Sequence, residues 1–166
     1  MIDRMRWAVC CCFVVLLLGT SLRAQNPVEV APVPSRIFTA KKVFIANAGN
    51  DAIVWRAFQK AGTLDEPYNS IYSAMKTWGR YELVGDPNDA DLVFEIRFGA
   101  PLIDADKLPT YLPHLSLVIV DAKSHFILWT MMSPVEGAFR KATWEKNVAT
   151  GVNGLMEQLK KLTSRQ

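Results

Sequence analysis

The sequence predicts an α/β (α+β) domain: a single mixed sheet of about five strands with two helices packed on it, in the order β-α-β-β-β-β-α. Three stretches carry that prediction. Residues 91–98 place Leu92, Phe94, Ile96 and Phe98 at every second position, the period of a half-buried strand. Residues 115–121 and 124–132 are two apolar runs separated by Ala122-Lys123, which reads as a hairpin. Trp144, Val148, Val152, Leu155, Met156, Leu159 and Leu162 recur at helical spacing and form one stripe.

The amino terminus reads as an export signal. Arg4 and Arg6 precede an apolar run from Trp7 to Leu18, and Ala24 supplies the small residue that a signal peptidase prefers. The run is shorter than the ~20 apolar residues of a membrane span. All three cysteines, Cys10, Cys11 and Cys12, fall inside this segment, so the chain after residue 24 has no disulfide or thiolate chemistry. They sit near the start of the run rather than after it, which argues against a lipid anchor. The segment also holds Arg4, Arg6 and Arg23 against Asp3, so removing it takes the net charge from +3 to +1. No basic stripe remains for nucleic acid. The expected organisation is a signal peptide over 1–24, a proline-rich extended tether over 25–40 and one domain over 41–166. The domain's composition is that of a folded globular chain, with 50% apolar and 21% charged residues overall.

The elements follow in order. Residues 42–47 are a short buried strand ending in the turn residues Gly49-Asn50-Asp51. Residues 51–66 are ambiguous, loop-like with room for a helical turn. Pro67 opens a helix whose stripe is Tyr68, Ile71, Tyr72, Met75 and Trp78, and Gly79 closes it. A strand is expected over 80–84, followed by the turn chemistry of residues 85–89. After the alternating strand, residues 99–113 carry Pro101, Pro109 and Pro113 and read as a long loop. In a hairpin with a two-residue turn, Val118 opposes Ile127 and Ser116 opposes Trp129. Leu115, Leu117, Ile119, Phe126 and Leu128 then face the helices. For the last helix, Thr143 is the expected cap, and Gly151 and Gly154 allow a close approach to the sheet.

Catalytic motifs are missing from this pattern. There is no G-x-x-x-x-G-K-[ST], no G-x-G-x-x-G and no G-x-S-x-G. In the hairpin His125 lies opposite Val120, about 20 Å along the strand from His114, too far for the two to share a metal or a proton. Asp86, Asp89 and Asp91 lack the spacing of a calcium loop and read as turn caps. No catalytic residue, cofactor or metal ligand is therefore assigned, and an enzyme is not expected.

Several stretches resemble a group of small exported proteins of unknown function from acidobacterial-type soil bacteria. They are KKVFIANAG, YSAMKTWGRYELV, ADLVFEIRF, LVIVDAKSHFILWT and EGAFRKATWEKNV. The layout is more distantly similar to envelope domains such as the amino-terminal domain of TolB and the periplasmic domain of curli secretion lipoproteins. The shared features are the Ala90-Asp91 opening of a strand and the hairpin from Asp121 to Trp129. The resemblance implies a non-catalytic binding or assembly role in the cell envelope, periplasmic or secreted. It implies an envelope protein as partner, no nucleic acid and no stable membrane anchor after signal cleavage. Ile127, Trp129, Met131 and Tyr111 are the expected contact residues. The alternative is a small-ligand or glycan binder using Trp55, Tyr68 or Tyr111 as stacking platforms; a hydrolase is the weaker option.

Overall fold

The alternation over 91–98 becomes β3, Leu92–Gly99, and β3 is the middle strand of the sheet. The computed structural model describes residues 31–50, 65–104 and 110–164. The chain divides into two units, Met1–Pro32 and Val33–Gln166, and every element below belongs to the second. The signal segment, the start of the tether, residues 51–64 and Trp55 lie outside the described residues.

The elements are α1 (Ser35–Thr39), β1 (Lys42–Asn50), α2 (Glu66–Trp78), β2 (Glu82–Leu83), β3, β4 (Leu102–Asp104), β5 (Thr110–Tyr111), β6 (His114–Asp121), β7 (Ile127–Pro134) and α3 (Lys141–Thr163). The mixed sheet has five strands in the order β2-β1-β3-β6-β7. β1 runs parallel to β2 and β3, while β6 runs antiparallel to both β3 and β7. The fold class is as expected. Two additions are α1, a helical turn inside the segment expected to be extended, and a two-stranded ribbon β4–β5 inside the expected long loop.

The helices pack on one face of the sheet. Val43, Ile45, Leu92, Phe94, Ile96, Phe98, Leu115, Leu117 and Ile119 point to that face and are all buried. Ile71 and Met75 of α2 meet them, together with the whole expected stripe of α3. Each large side chain so buried contributes roughly 1.5–3 kcal/mol. Phe98 meets Trp144 edge to face at 5.5 Å. Gly151 and Gly154 do allow a close approach: a Cβ at Gly151 would lie 2.7 Å from Val135 Cγ2, and one at Gly154 2.5 Å from Ser133 Oγ. α2 starts and stops where its sequence says, with Pro67 in the first turn and Gly79 at φ +67°. α3 starts differently. Its N-cap is Arg140, which makes no side-chain cap bond, and Thr143 lies inside the first turn.

The hairpin register also differs from expectation. Leu117 faces Met131 and Ile119 faces Trp129. The first reason is the turn. Asp121 Oδ1 accepts from Lys123 N at 2.9 Å, Ser124 N at 2.8 Å and Ser124 Oγ at 3.1 Å. His125 then takes a left-handed φ of +60°, and Asp121 N closes onto Phe126 O at 3.0 Å. Four residues, not two, make the connection. The longer turn moves the pairing by two, so that Val120 faces Ile127 and the faces are kept; the irregularity between the Ile119 and Val120 pairs adds one more residue and turns β7 over from Trp129 onward. Trp129, Met131 and Ser133 join the helix side, and Phe126 leaves it.

Candidate functional site

The expected contact residues do not form one surface. Met131 is buried in the core, and Trp129 and Tyr111 are half-buried against it. Ile127 is 67% exposed, beside Phe126 at 73%. Phe126 and Met132 were missed because both depend on the register. The signal that finds the longer turn at Phe126 is Asp121 followed by Lys123-Ser124, an aspartate that can cap its own turn and lengthen it; Met132 turns outward through the irregular pairing, which has no such signal.

The face of the sheet away from α2 and α3 carries Phe44, Val93, Glu95, Arg97, Ser116, Val118, Thr130 and Met132, which the register places side by side. Phe44, Val93 and Val118 are half-buried, while Thr130 and Met132 are exposed. Both long helices lie on the other side, and this face is mixed: Glu95 and Arg97 stand on the middle strand, with Phe44, Val93 and Val118 around them.

At one end of the molecule β1 begins, α2 and α3 finish, and the β6–β7 turn sits; we call it the lower end. Its parts are linked. Lys160 Nζ lies 6.0 Å from the Trp78 ring, and Trp78 meets Tyr81 at 5.7 Å. Tyr81 Oη donates to Ile37 O at 3.3 Å, and Arg36 Nε pairs with Asp121 Oδ2 at 3.0 Å. Asp91 Oδ2 accepts from Lys41 N at 2.9 Å and Lys42 N at 3.1 Å. Those two N–H bonds hold the Asp91 carboxyl below its ordinary value. The Ser124 N–H, with the Lys123 N–H and the Ser124 hydroxyl, holds Asp121 down in the same way. Asp86 accepts from Asn88 N at 2.8 Å. Asp86 and Asp91 are thus turn and strand caps. Among the described residues no group of three His, Cys, Asp or Glu could hold a metal ion. His114 opens β6 and His125 lies in the turn beyond its other end.

Two of the concavities lie among the described residues. A groove of about 920 Å³ runs between α2 and α3, lined by residues including Asn69, Ser73, Trp78, Asn153 and Lys160. A smaller one of about 290 Å³ lies between β7 and α3, against Trp129, Thr130, Gln158 and Lys161. Tyr68, an expected stacking platform, is instead half-buried and donates to Ile45 O at 3.1 Å.

No family model matches the chain, and no curated protein matches it. Among solved structures, the chain is similar to the PelC dodecamer subunit from Paraburkholderia phytofirmans, at 9% identity over 79% of this chain and 94% of that one, with a TM-score of 0.46. It is also similar to lipoprotein GNA1162 from Neisseria meningitidis, at 10% identity over 73% of this chain and 99% of that one, with a TM-score of 0.41. An uncharacterised lipoprotein B from Nitrosomonas europaea is 11% identical over 82% of this chain and 93% of its own, with a TM-score of 0.44. The last two are lipoproteins by their descriptions. At these identities no residue role is carried over. Among the described residues, no helix is long and apolar enough to cross a membrane.

Proposed function

We propose that the chain is an exported cell-envelope module, periplasmic or secreted, that works by binding an envelope protein rather than by catalysis. The observation that carries the binding reading is the sheet face described above. It is apolar at Phe44, Val93 and Val118, exposed at Thr130 and Met132, and has neither long helix packed on it. The signal-like residues 1–24 support export. The resemblance to small exported acidobacterial-type proteins and to the TolB amino-terminal domain points the same way.

Cell fractionation and crosslinking test it together. The expected result is a processed chain in the envelope or medium, crosslinked to one reproducible envelope protein, and Met132→Glu abolishes the crosslink without lowering the melting temperature. A cytoplasmic, unprocessed chain overturns the export reading. An exported chain recovered alone overturns the protein-binding one. The α2–α3 groove favours a second reading, a small polar ligand such as a glycan. Thermal stabilisation by an oligosaccharide, lost in Asn153→Ala, is the result that reading requires.

A further inference from the structure

Sulfur chemistry in residues 25–166 is confined to thioethers, because Cys10, Cys11 and Cys12 all lie in the signal-like segment. The methionines after residue 24 are Met75, Met131, Met132 and Met156, and all of them are described. Three belong to the core: Met75 is 1% exposed, and Met131 and Met156 are 6% exposed. Met132 is 58% exposed. Oxidation of a methionine follows the access of the oxidant to its sulfur, so one thioether differs in kind from the other three.

The fold decides which of the two adjacent sulfurs lies outside. With regular pairing throughout the hairpin, Met131 would face outward and Met132 would face the helices. The irregular pairing between Ile119 and Val120 reverses that, so Met131, opposite Leu117, is buried, and Met132, opposite Ser116, stands on the sheet face away from α2 and α3. Its exposure is not that of a loose chain end. Met131 and Ser133 on either side pair with Leu117 and Leu115, and Gln158 Nε2 donates to the Met132 carbonyl at 2.9 Å. The backbone is held while the thioether projects, on the same face as Ser116, Val118 and Thr130.

We propose that Met132 is an oxidation site for hydrogen peroxide and related two-electron oxidants, and that its sulfoxide turns off binding at the sheet face. The second clause rests on the protein-binding reading above; the first does not. In the step, a lone pair of Met132 Sδ attacks one peroxide oxygen. The O–O bond breaks as the S–O bond forms, and the departing hydroxide takes the proton carried by the transferred oxygen and leaves as water. Sulfur loses two electrons and the peroxide gains them. The product carries a strong acceptor in place of an apolar atom, and covering it with a partner's apolar surface weakens binding, because its hydration is lost without a matching donor. Reversal needs a dithiol reductase, whose two thiols become a disulfide as the oxygen departs in water. The chain has no thiol of its own after residue 24.

The test uses residues 25–166, whose core starts at Ile37 and lies wholly in the Val33–Gln166 unit. Dilute hydrogen peroxide is added at neutral pH and sulfoxide formation is followed by mass spectrometry. Fragment ions of the tryptic peptide Ser124–Arg140 separate Met131 from Met132. Met132 is expected to oxidise roughly tenfold or more faster than Met75, Met131 and Met156, and the four rates to converge in urea. Melting temperature is expected to stay unchanged when Met132 alone is oxidised. The crosslink to an envelope protein is then measured after the peroxide is removed. Oxidation is expected to lower its yield by roughly tenfold or more, and methionine sulfoxide reductase to restore it. Met132→Leu is compared with itself, and its yield is expected to be the same before and after peroxide. Equal oxidation rates at Met132 and Met131 or Met75 overturn the oxidation site. An undiminished crosslink with Met132 fully oxidised overturns the switch. If the unoxidised chain captures no protein, the binding reading falls and the switch with it, while the peptide ratios still decide the site.

Discussion

Between α3 and the sheet there is no room for a methyl group at two positions. Gly151→Ala must displace Val135 or Leu115, and we expect a loss of about 1–2 kcal/mol in urea unfolding, because overpacking outweighs alanine's gain in helix propensity. Gly154→Ala meets only the Ser133 hydroxyl, so adding Ser133→Ala should recover most of its cost, a coupling that a double-mutant cycle reads directly. The carboxylates at the lower end make a second prediction. Asp91 and Asp121 are held below their ordinary value of 3.8 in the folded chain. The unfolded chain therefore binds the proton first, and the stability these groups contribute is complete above about pH 5 and is lost as pH falls through 3.8 and below. Melting temperature should drop over that acid range, and more shallowly in Asp91→Asn.

The elements differ in how legible they were. β3 declares itself by alternation, and α3 by its stripe, because both are fixed by burial against one face. The hairpin does not, because its register rests on one aspartate side chain, a left-handed histidine and an irregular pairing, none of which has a hydrophobic period. That is why Met131 and Trp129 read as surface and Phe126 as core. α1 was missed for a related reason: five residues are too few to show a period. The outer edge at β7 shows a different economy. Val135 N reaches Pro113 O on the β6 side, so the even-numbered residues of β7 turn their backbones outward. Of these, Pro134 has no N–H, and Gln158 Nε2 already donates to Met132 O at 2.9 Å. Such devices discourage strand-to-strand association. Gln158→Ala with Pro134→Thr should therefore self-associate with rising concentration in light scattering, whereas Gln158→Ala alone should do so less.

For the whole molecule, the class and the five-strand count were readable because burial patterns alone decide them. The candidate surfaces were not, since they depend on which end of the sheet each turn occupies. α1 shows how much a short piece can matter: Ile37 is fully buried, and Arg36 and the Ile37 carbonyl tie it to β6 and Tyr81. Ile37→Ala should cost about 2–4 kcal/mol in chemical unfolding, far more than Arg36→Ala at its partly exposed ion pair.

The chain enters this unit through α1 and leaves at the end of α3, and both points lie at the lower end, linked through Tyr81, Trp78 and Lys160. A pull applied between them loads the packing of α1 and the last turns of α3 one contact at a time, as a zipper opens, instead of shearing all the strands at once. The same closeness lets a short linker join the two ends. A circularly permuted chain opened elsewhere would then keep the sheet order and relieve the fold of that weak direction.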